Sequence, residues 1–327
     1  MTIASRLHRV FSTLMPFFVL AALGMIPYAS TGMSGIIDPG DCNFPLFPLE
    51  AFKQHIFTWD SNSAILGTDA GWSFPSAIPY WGAIAVLDLV LKDIGILNRL
   101  WYFLVFSSSG WSMYLLAMVL YNGKARKEVG LASAFFYMYS PVAAQLTAHG
   151  VNTYVFVYST APLFFALIVK AINHSNRPAL AYAYAILASV FYSTTQVVNT
   201  IQVQALALIA PVSYVLFKAI TSRSRSQTFA LAKVSLLILF LLVLFDMYWI
   251  LPTIEPTTVQ QAYTIQSSEK ATLQNLLSAS KNVDYLSLFR LYPKGWTFGF
   301  YTSALGLFTN SLIVMVCLMA VLSLIHI

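Results

Sequence analysis

Five of the chain's twelve acidic residues lie in one polar stretch, residues 38–75, although only 9% of the chain is charged. They are Asp38, Asp41, Glu50, Asp60 and Asp69. A carboxylate held beside a substrate can take the proton of an attacking hydroxyl and so act as a general base. We interpret this stretch as a loop on the outer face of a membrane, which presents a carboxylate to a substrate whose lipid tail lies in the bilayer.

Asp69 is another acidic candidate. The flexible Gly71 in GTDAGW could bring its carboxylate toward a carboxylate earlier in the same loop. Two loop carboxylates could also hold a divalent metal through oxygen ligands. The spacing fits a plain turn aspartate equally well. The sequence therefore leaves the cofactor open, with a divalent metal as one hypothesis.

Arg99 is the basic residue best placed for chemistry, because it stands at the outer end of an apolar run. When a group is transferred away from a phosphate, a cation beside the departing phosphate stabilises its negative charge. A guanidinium suits that role. The alternative is that Arg99 reaches lipid headgroups or pairs with Asp93 or Asp60.

Polar residues at the ends of other apolar runs are candidate contacts for a substrate. His149, Asn152, Gln196 and Asn199 fall on outer turns and could bind sugar hydroxyls, or could simply be solvated. Asp246 lies about five residues, roughly 7 Å, inside the outer end of its run. Acidic residues within a membrane are candidates for function, although Tyr248, Trp249 or a water-filled cavity could satisfy this one.

The composition indicates which elements position these residues. Hydrophobic residues make up 58% of the 327, and the mean hydropathy is +0.71. These values predict an all-α, polytopic membrane protein and exclude a soluble fold. The net charge of +6 sets membrane orientation here and does not indicate a nucleic-acid partner. The chain stops within an apolar run, so we expect a C-terminally truncated fragment.

We predict about eight spans in a single membrane domain covering residues 1–327. The predicted spans are 10–29, 98–121, 129–147, 153–172, 179–194, 199–220, 228–251 and 302–324. The run at 76–95 carries Asp88, Lys92 and Asp93 and is placed at the outer surface as a juxtamembrane or re-entrant helix. With that placement every basic loop, including NGKARKE, falls inside. The N-terminus is then cytoplasmic in a plasma membrane, and the acidic face is extracytoplasmic.

Two outer loops follow from this topology, at residues 30–97 and 252–301. Within the first, Leu49, Phe52, Ile56 and Trp59 recur at helical spacing after Pro48, which predicts an amphipathic juxtamembrane helix over 46–59. Such a helix would fix the preceding Asp41 at headgroup depth. In the second loop we predict a helix around SEKATLQNLLSASKNV. The polar run SSSGWS within 98–121 favours close helix packing over transport.

This order of features resembles the GT-C membrane glycosyltransferases. The features are a first span, an acidic loop, a proline-initiated helix ending in Trp59 and Asp60, and a span opening with Arg99, Leu100 and Trp101. They are most similar to those of the large arabinofuranosyltransferases of mycobacterial cell-wall type. The resemblance implies sugar donors on polyprenyl phosphate, with an acidic residue of the first outer loop as base. By position that residue is Asp41, but the gap from Asp41 to Pro48 is longer than in the family, so Asp38 is a rival.

The leading hypothesis is therefore a glycosyltransferase. It would move a sugar from a polyprenyl-phosphate donor to a glycan or glycolipid acceptor at the outer face, with membrane lipid as its surroundings. The alternatives are a transporter or flippase of lipid-linked sugars and a non-catalytic subunit of the same architecture. Charges avoid the middles of the predicted spans, and we find no internal repeat, which favours the enzyme over the transporter.

Overall fold

The computed structural model describes residues 3–29, 44–55, 59–60, 68–69, 74–140, 143, 152–195, 201–222 and 224–254. In these segments the chain is helical apart from one antiparallel pair of two-residue strands. The elements in order are α1 (Ile3–Ala29), α2 (Pro48–His55), β1 (Trp59–Asp60), β2 (Thr68–Asp69), α3 (Phe74–Leu91), α4 (Ile94–Leu120), α5 (Arg126–Met138), α6 (Asn152–Asn173), α7 (Pro178–Thr195), α8 (Ile201–Thr221) and α9 (Arg225–Ile254). The predicted all-helical class is confirmed.

The chain divides into two compact units. One unit comprises Met1–Met138 and Leu146–Pro252, and the other comprises Tyr139–Gln145 and Thr253–Ile327. Most of the second unit lies outside the described residues, as do the predicted helix of the 252–301 loop and the predicted span 302–324. The prediction of a single membrane domain therefore stays a prediction, and the geometry below belongs to the first unit.

Three segments in the described part of the chain are long and apolar enough to cross a membrane: Ile94–Leu120, Phe156–Asn173 and Arg225–Met247. Shorter apolar helices lie at Phe11–Ile26, Tyr80–Leu91, Pro178–Ser193 and Ala207–Thr221. Only 17% of the apolar window in α9 is buried by the protein. An apolar helix that leaves so much of its surface open is typical of a lipid-facing span.

The helices α1 and α4 pack closely and run antiparallel. The indole Nε1 of Trp111 donates a hydrogen bond to the Phe17 carbonyl oxygen at 3.0 Å, and Gly24 faces Ser107 further along α1. A Cβ added at Gly24 would lie 2.0 Å from the Ser107 Oγ and 3.4 Å from its Cα. Small residues let two helix backbones approach in this way. The predicted packing role of the SSSGWS run is thus confirmed.

Replacing Gly24 with valine should separate α1 from α4, because the new side chain meets the backbone of α4 as well as the Ser107 hydroxyl. We expect Gly24→Val to lower the free energy of unfolding by about 1–3 kcal/mol. The measurement is thermal unfolding of the purified protein in detergent. The matched control is Ala22→Val on the exposed face of the same helix; equal losses in both variants would contradict the packing argument.

Two basic residues contact α1 and α4 at the end of this helix pair that lies away from Gly24. The Lys127 ammonium donates to the Ser12 Oγ at 2.8 Å, and the Arg126 guanidinium donates to the carbonyl of Met118 in the last turn of α4. Cations suit a helix C-terminus, where carbonyl groups lack intrahelical donors. We call this end of the unit, where α1 and α5 begin and α4 ends, the basic end.

The antiparallel arrangement of α1 and α4 bears on the uncertain run at 76–95. Because α1 leaves the basic end and α4 returns to it, the intervening chain begins and ends at the opposite end of the unit. The predicted surface placement of 76–95 requires this parity. The helix found there, α3, packs against α2, α4 and α7.

The later helices continue the alternation. Tyr137 near the end of α5 and Tyr158 near the start of α6 stack at 4.2 Å between ring centroids, and each hydroxyl donates to the other residue's carbonyl oxygen at 2.7 Å. Phe164 of α6 lies 4.7 Å from the ring of Tyr192 in the last turn of α7. Together with the turn that joins α6 to α7, these contacts place the end of α6 and the start of α7 at the basic end.

Three sequence predictions need correction. The predicted helical run 129–147 is interrupted, because α5 ends at Met138 and a turn follows at Tyr139 and Ser140. Pro141 explains this stop, since the residue before a proline is pushed away from helical angles. At about 20 Å, the 13-residue α5 is shorter than the hydrocarbon core.

The predicted helix over 46–59 is shorter than expected. It begins at Pro48, as predicted, but ends at His55. Trp59 is therefore not in the last turn of α2. It lies in β1, and its cross-strand partner is Asp69 of β2. Aromatic and threonine residues in FTW favour a strand. Asp69, predicted in a turn, is likewise in a strand.

Candidate functional site

An aromatic cluster occupies the start of α4, at the end of the unit opposite the basic end. The buried ring of Tyr80 on α3 contacts the ring of Trp101 on α4 edge-on at 5.3 Å, and Phe156 on α6 lies 5.7 Å from Tyr80 and 6.0 Å from Trp101. Phe44 belongs to the same buried cluster. Edge-to-face and stacked pairs at these distances add to the stabilisation from burial. The cluster therefore fixes the segment that enters α2 against α3, α4 and α6.

The two residues between α3 and α4 form a tight corner. Lys92 adopts a left-handed φ of 51°, and its N–H donates to the Asp88 carbonyl oxygen at 2.9 Å. Asp93 is the N-cap of α4: its Oδ1 accepts from the N–H groups of Gly95 at 2.9 Å and Ile96 at 3.0 Å. From the sequence, Asp93 is a charge of the 76–95 run and an alternative ion-pair partner of Arg99, and its capping role was not predicted. The signal that could have shown it is the residue type, because aspartate is a preferred N-cap.

Removing this cap should destabilise the first turn of α4. We expect Asp93→Ala to lower the free energy of unfolding by about 1 kcal/mol, measured by thermal unfolding in detergent. Asp93→Asn keeps a side-chain oxygen in the same place and should lose little. If asparagine proves as damaging as alanine, the aspartate acts through its charge and the capping argument is wrong.

The cap and the aromatic cluster together position Arg99. It lies half-buried in the second turn of α4, directly after the fully buried Asn98. Its Nε is shielded from solvent. A charge at this depth is retained where it has an anionic or polar partner. Arg99 is thus on a rigid helix two positions before Trp101.

Asp246 is the buried acid of α9. It is 5% exposed and interacts electrostatically with Tyr192 at the end of α7. Because α9 continues to Ile254, Asp246 lies about 12 Å along the axis from the helix end. Its depth of roughly 7 Å in a membrane stays a prediction. Tyr192 was not predicted as its partner, because spacing along one helix indicates only neighbours on that helix. The alternation of helices brings the end of α7 beside the end of α9.

The other predicted site residues are only partly within the described chain. Asp69 lies in β2 and Asn152 is the first residue of α6. The remaining candidates lie outside the described residues: Asp38, Asp41, His149, Gln196 and Asn199. The position of the predicted base, Asp41, relative to Arg99 therefore stays a prediction.

A metal site also stays a hypothesis. In the segments that the structure describes, no group of three or more His, Cys, Asp or Glu residues could hold a metal ion. Asp38 and Asp41, the two alternative partners of Asp69 in that hypothesis, lie outside those segments. What the described residues provide is a cation on a rigid helix, next to a cluster that anchors the acidic loop.

Comparison with known proteins gives this chain no relative: no family model, no curated protein and no solved structure matches it.

Proposed function

We propose that this chain is a GT-C-like membrane glycosyltransferase of about eight spans that transfers a sugar from a polyprenyl-phosphate donor to a glycan or glycolipid acceptor. Its N-terminus would be cytoplasmic and its active face extracytoplasmic, in a plasma membrane. The observation that supports it most is the anchoring of Phe44 in the aromatic cluster at the start of α4. That start also carries Arg99.

The reach of the chain makes this observation useful. Asp41 precedes Phe44 by three residues, and three extended residues span at most about 11 Å. Phe44 packs in the same cluster as Trp101, two positions after Arg99. This tether keeps Asp41 near the cluster at the start of α4, which also carries Arg99. That proximity supports a donor phosphate bound between the two groups.

The proposed reaction uses these groups in one step. Asp41 takes the proton of the acceptor hydroxyl, and the acceptor oxygen forms a bond to the anomeric carbon of the sugar. The bond from that carbon to the donor phosphate oxygen breaks, and the phosphate keeps the electron pair. The guanidinium of Arg99 stabilises the negative charge that develops on the phosphate. The stereochemistry at the anomeric carbon inverts.

A second candidate function is translocation of a lipid-linked sugar. The observation that favours it is Asp246, an acid buried within a long apolar helix, since ionisable groups inside membrane spans often line transport paths. The enzyme remains our leading proposal, because Asp246 lies about six residues, roughly 10 Å, from the middle of α9, whereas coupling groups of transporters usually lie near the bilayer midplane.

Purified full-length protein in sealed proteoliposomes separates the two candidates. A set of radiolabelled polyprenyl-phosphate sugars is offered with a glycan or glycolipid acceptor, and both product formation and movement of the donor between leaflets are measured. A glycosyltransferase forms product in proteoliposomes opened by detergent as well. Movement of donor without product would favour the transporter, and neither signal with any donor would leave the non-catalytic subunit.

A further inference from the structure

A polar cavity lies at the basic end, far from the proposed transfer site. Its volume is about 270 Å³, and it is formed where α6 and α8 end and α9 begins. The lining residues come from these three places: Ile172, Asn173, Ser175, Asn176, Lys218, Thr221, Ser222, Gln227 and Leu231. Most of them carry a side-chain amide or hydroxyl, so the cavity can donate and accept several hydrogen bonds.

The charge of this cavity has one sign. Lys218 is the charged group in its lining, with its ammonium 5.7 Å from the Tyr214 ring centroid. Between Glu128 and Asp246 the sequence has no acidic residue at all, while it has six lysines and arginines. The cavity also includes Gln227 in the first turn of α9, where backbone N–H groups lack intrahelical acceptors and add partial positive charge. Such surroundings favour an anion.

The size and the neighbours of the cavity indicate which anion. Its volume of about 270 Å³ lies at the lower end of ligand pockets, which occupy roughly 300–1,000 Å³, and accommodates a small charged group such as a phosphate. Large apolar side chains are exposed beside it in sequence: Phe217 and Ile220 on α8, and Phe229 on α9, with Ile220 83% exposed. A phosphate attached to acyl chains would satisfy both surfaces together.

We propose that this cavity binds the phosphate of an anionic phospholipid, whose acyl chains lie along the apolar faces of α8 and α9. Lys218 donates to the phosphate oxygens, and the side-chain amide N–H groups of Asn173, Asn176 and Gln227 supply neutral hydrogen bonds to them. The lipid holds the ends of α6, α8 and α9 together. This site is independent of the proposed transfer reaction.

The test uses the purified full-length protein in detergent with added lipid. Phosphatidylglycerol should raise the thermal unfolding midpoint more than phosphatidylcholine does, and the phosphatidylglycerol concentration for half of this effect is measured for each variant. We expect Lys218→Gln to raise that concentration about tenfold, as for loss of one charge-assisted hydrogen bond. Lys124→Gln is the matched control, because Lys124 is exposed in the turn between α4 and α5 and does not line the cavity.

Two further arms make the result decisive. Asn176→Leu removes a polar group without changing the charge, and it should also weaken the effect of phosphatidylglycerol while leaving the midpoint in phosphatidylcholine unchanged. Inorganic phosphate alone should not reproduce the stabilisation; if it does, the ligand is a free anion and the lipid assignment is wrong. The proposal is equally overturned if both lysine variants weaken the effect alike, or if the wild type responds equally to the two lipids.

Discussion

Asp41→Asn should reduce sugar transfer by about 10²–10⁴-fold, which is the usual contribution of a general base. The amide has nearly the shape of the carboxylate but cannot accept the proton of the acceptor hydroxyl. Binding of the donor should change little, because the proposed phosphate contact is Arg99. The measurement is initial rate against donor and acceptor concentration in membranes with matched amounts of the full-length protein.

Asp38→Asn is the matched control, since Asp38 lies three positions earlier in the same loop and carries the same group. Its rate should stay within a few-fold of the wild type. If transfer survives in Asp41→Asn and is lost in Asp38→Asn, the base is Asp38. Retention of transfer in both variants would move the role to Asp69 or remove general-base catalysis by this loop.

Arg99→Gln should lower the rate of transfer by about 10²–10³-fold, in the range found when one donor to a developing negative charge is removed. The effect should appear in kcat more than in the KM for the donor, because the phosphate gains charge as the bond to the sugar breaks. Arg99→Lys should retain part of the activity, since it keeps the charge but loses the planar pair of donors.

The control for Arg99 is Arg126→Gln, which removes the same charge at the other end of α4, where Arg126 donates to the Met118 carbonyl. Both variants are also compared by thermal unfolding. A purely structural Arg99 would lower the unfolding midpoint and leave the rate per folded molecule unchanged, and that outcome would exclude it from the site.

Much of the helical framework could be predicted from the sequence, because apolar runs and basic loops record the membrane environment directly. The bounds of α6 and α7 fall within one residue of the predicted runs 153–172 and 179–194. The Lys127 side chain contacts Ser12 in the N-terminal half of α1. The predicted topology requires NGKARKE and the N-terminus to be on the same side. These features depend on hydropathy and charge alone.

Features that depend on contacts between separate segments were harder to predict from the sequence. Trp59 has helical spacing to Phe52, yet its strand partner is Asp69, and spacing along one segment does not reveal a pairing with another. Asp246 was assigned neighbours on its own helix, whereas Tyr192 comes from α7. The base and most of the sugar contacts remain predictions, because Asp41, His149 and Gln196 lie outside the described residues.

The contact between α1 and α4 also constrains how the protein is made. Trp111 and Phe17 are 94 residues apart, and a ribosome adds about 5–20 residues per second, so α1 is synthesised roughly 5–20 s before its partner exists. During that interval the face containing Gly24 has no α4 to cover it. A helix that satisfies its own backbone hydrogen bonds can wait in lipid. We therefore predict that this unit assembles by lateral association of inserted helices, with α1 alone in the membrane until α4 is synthesised.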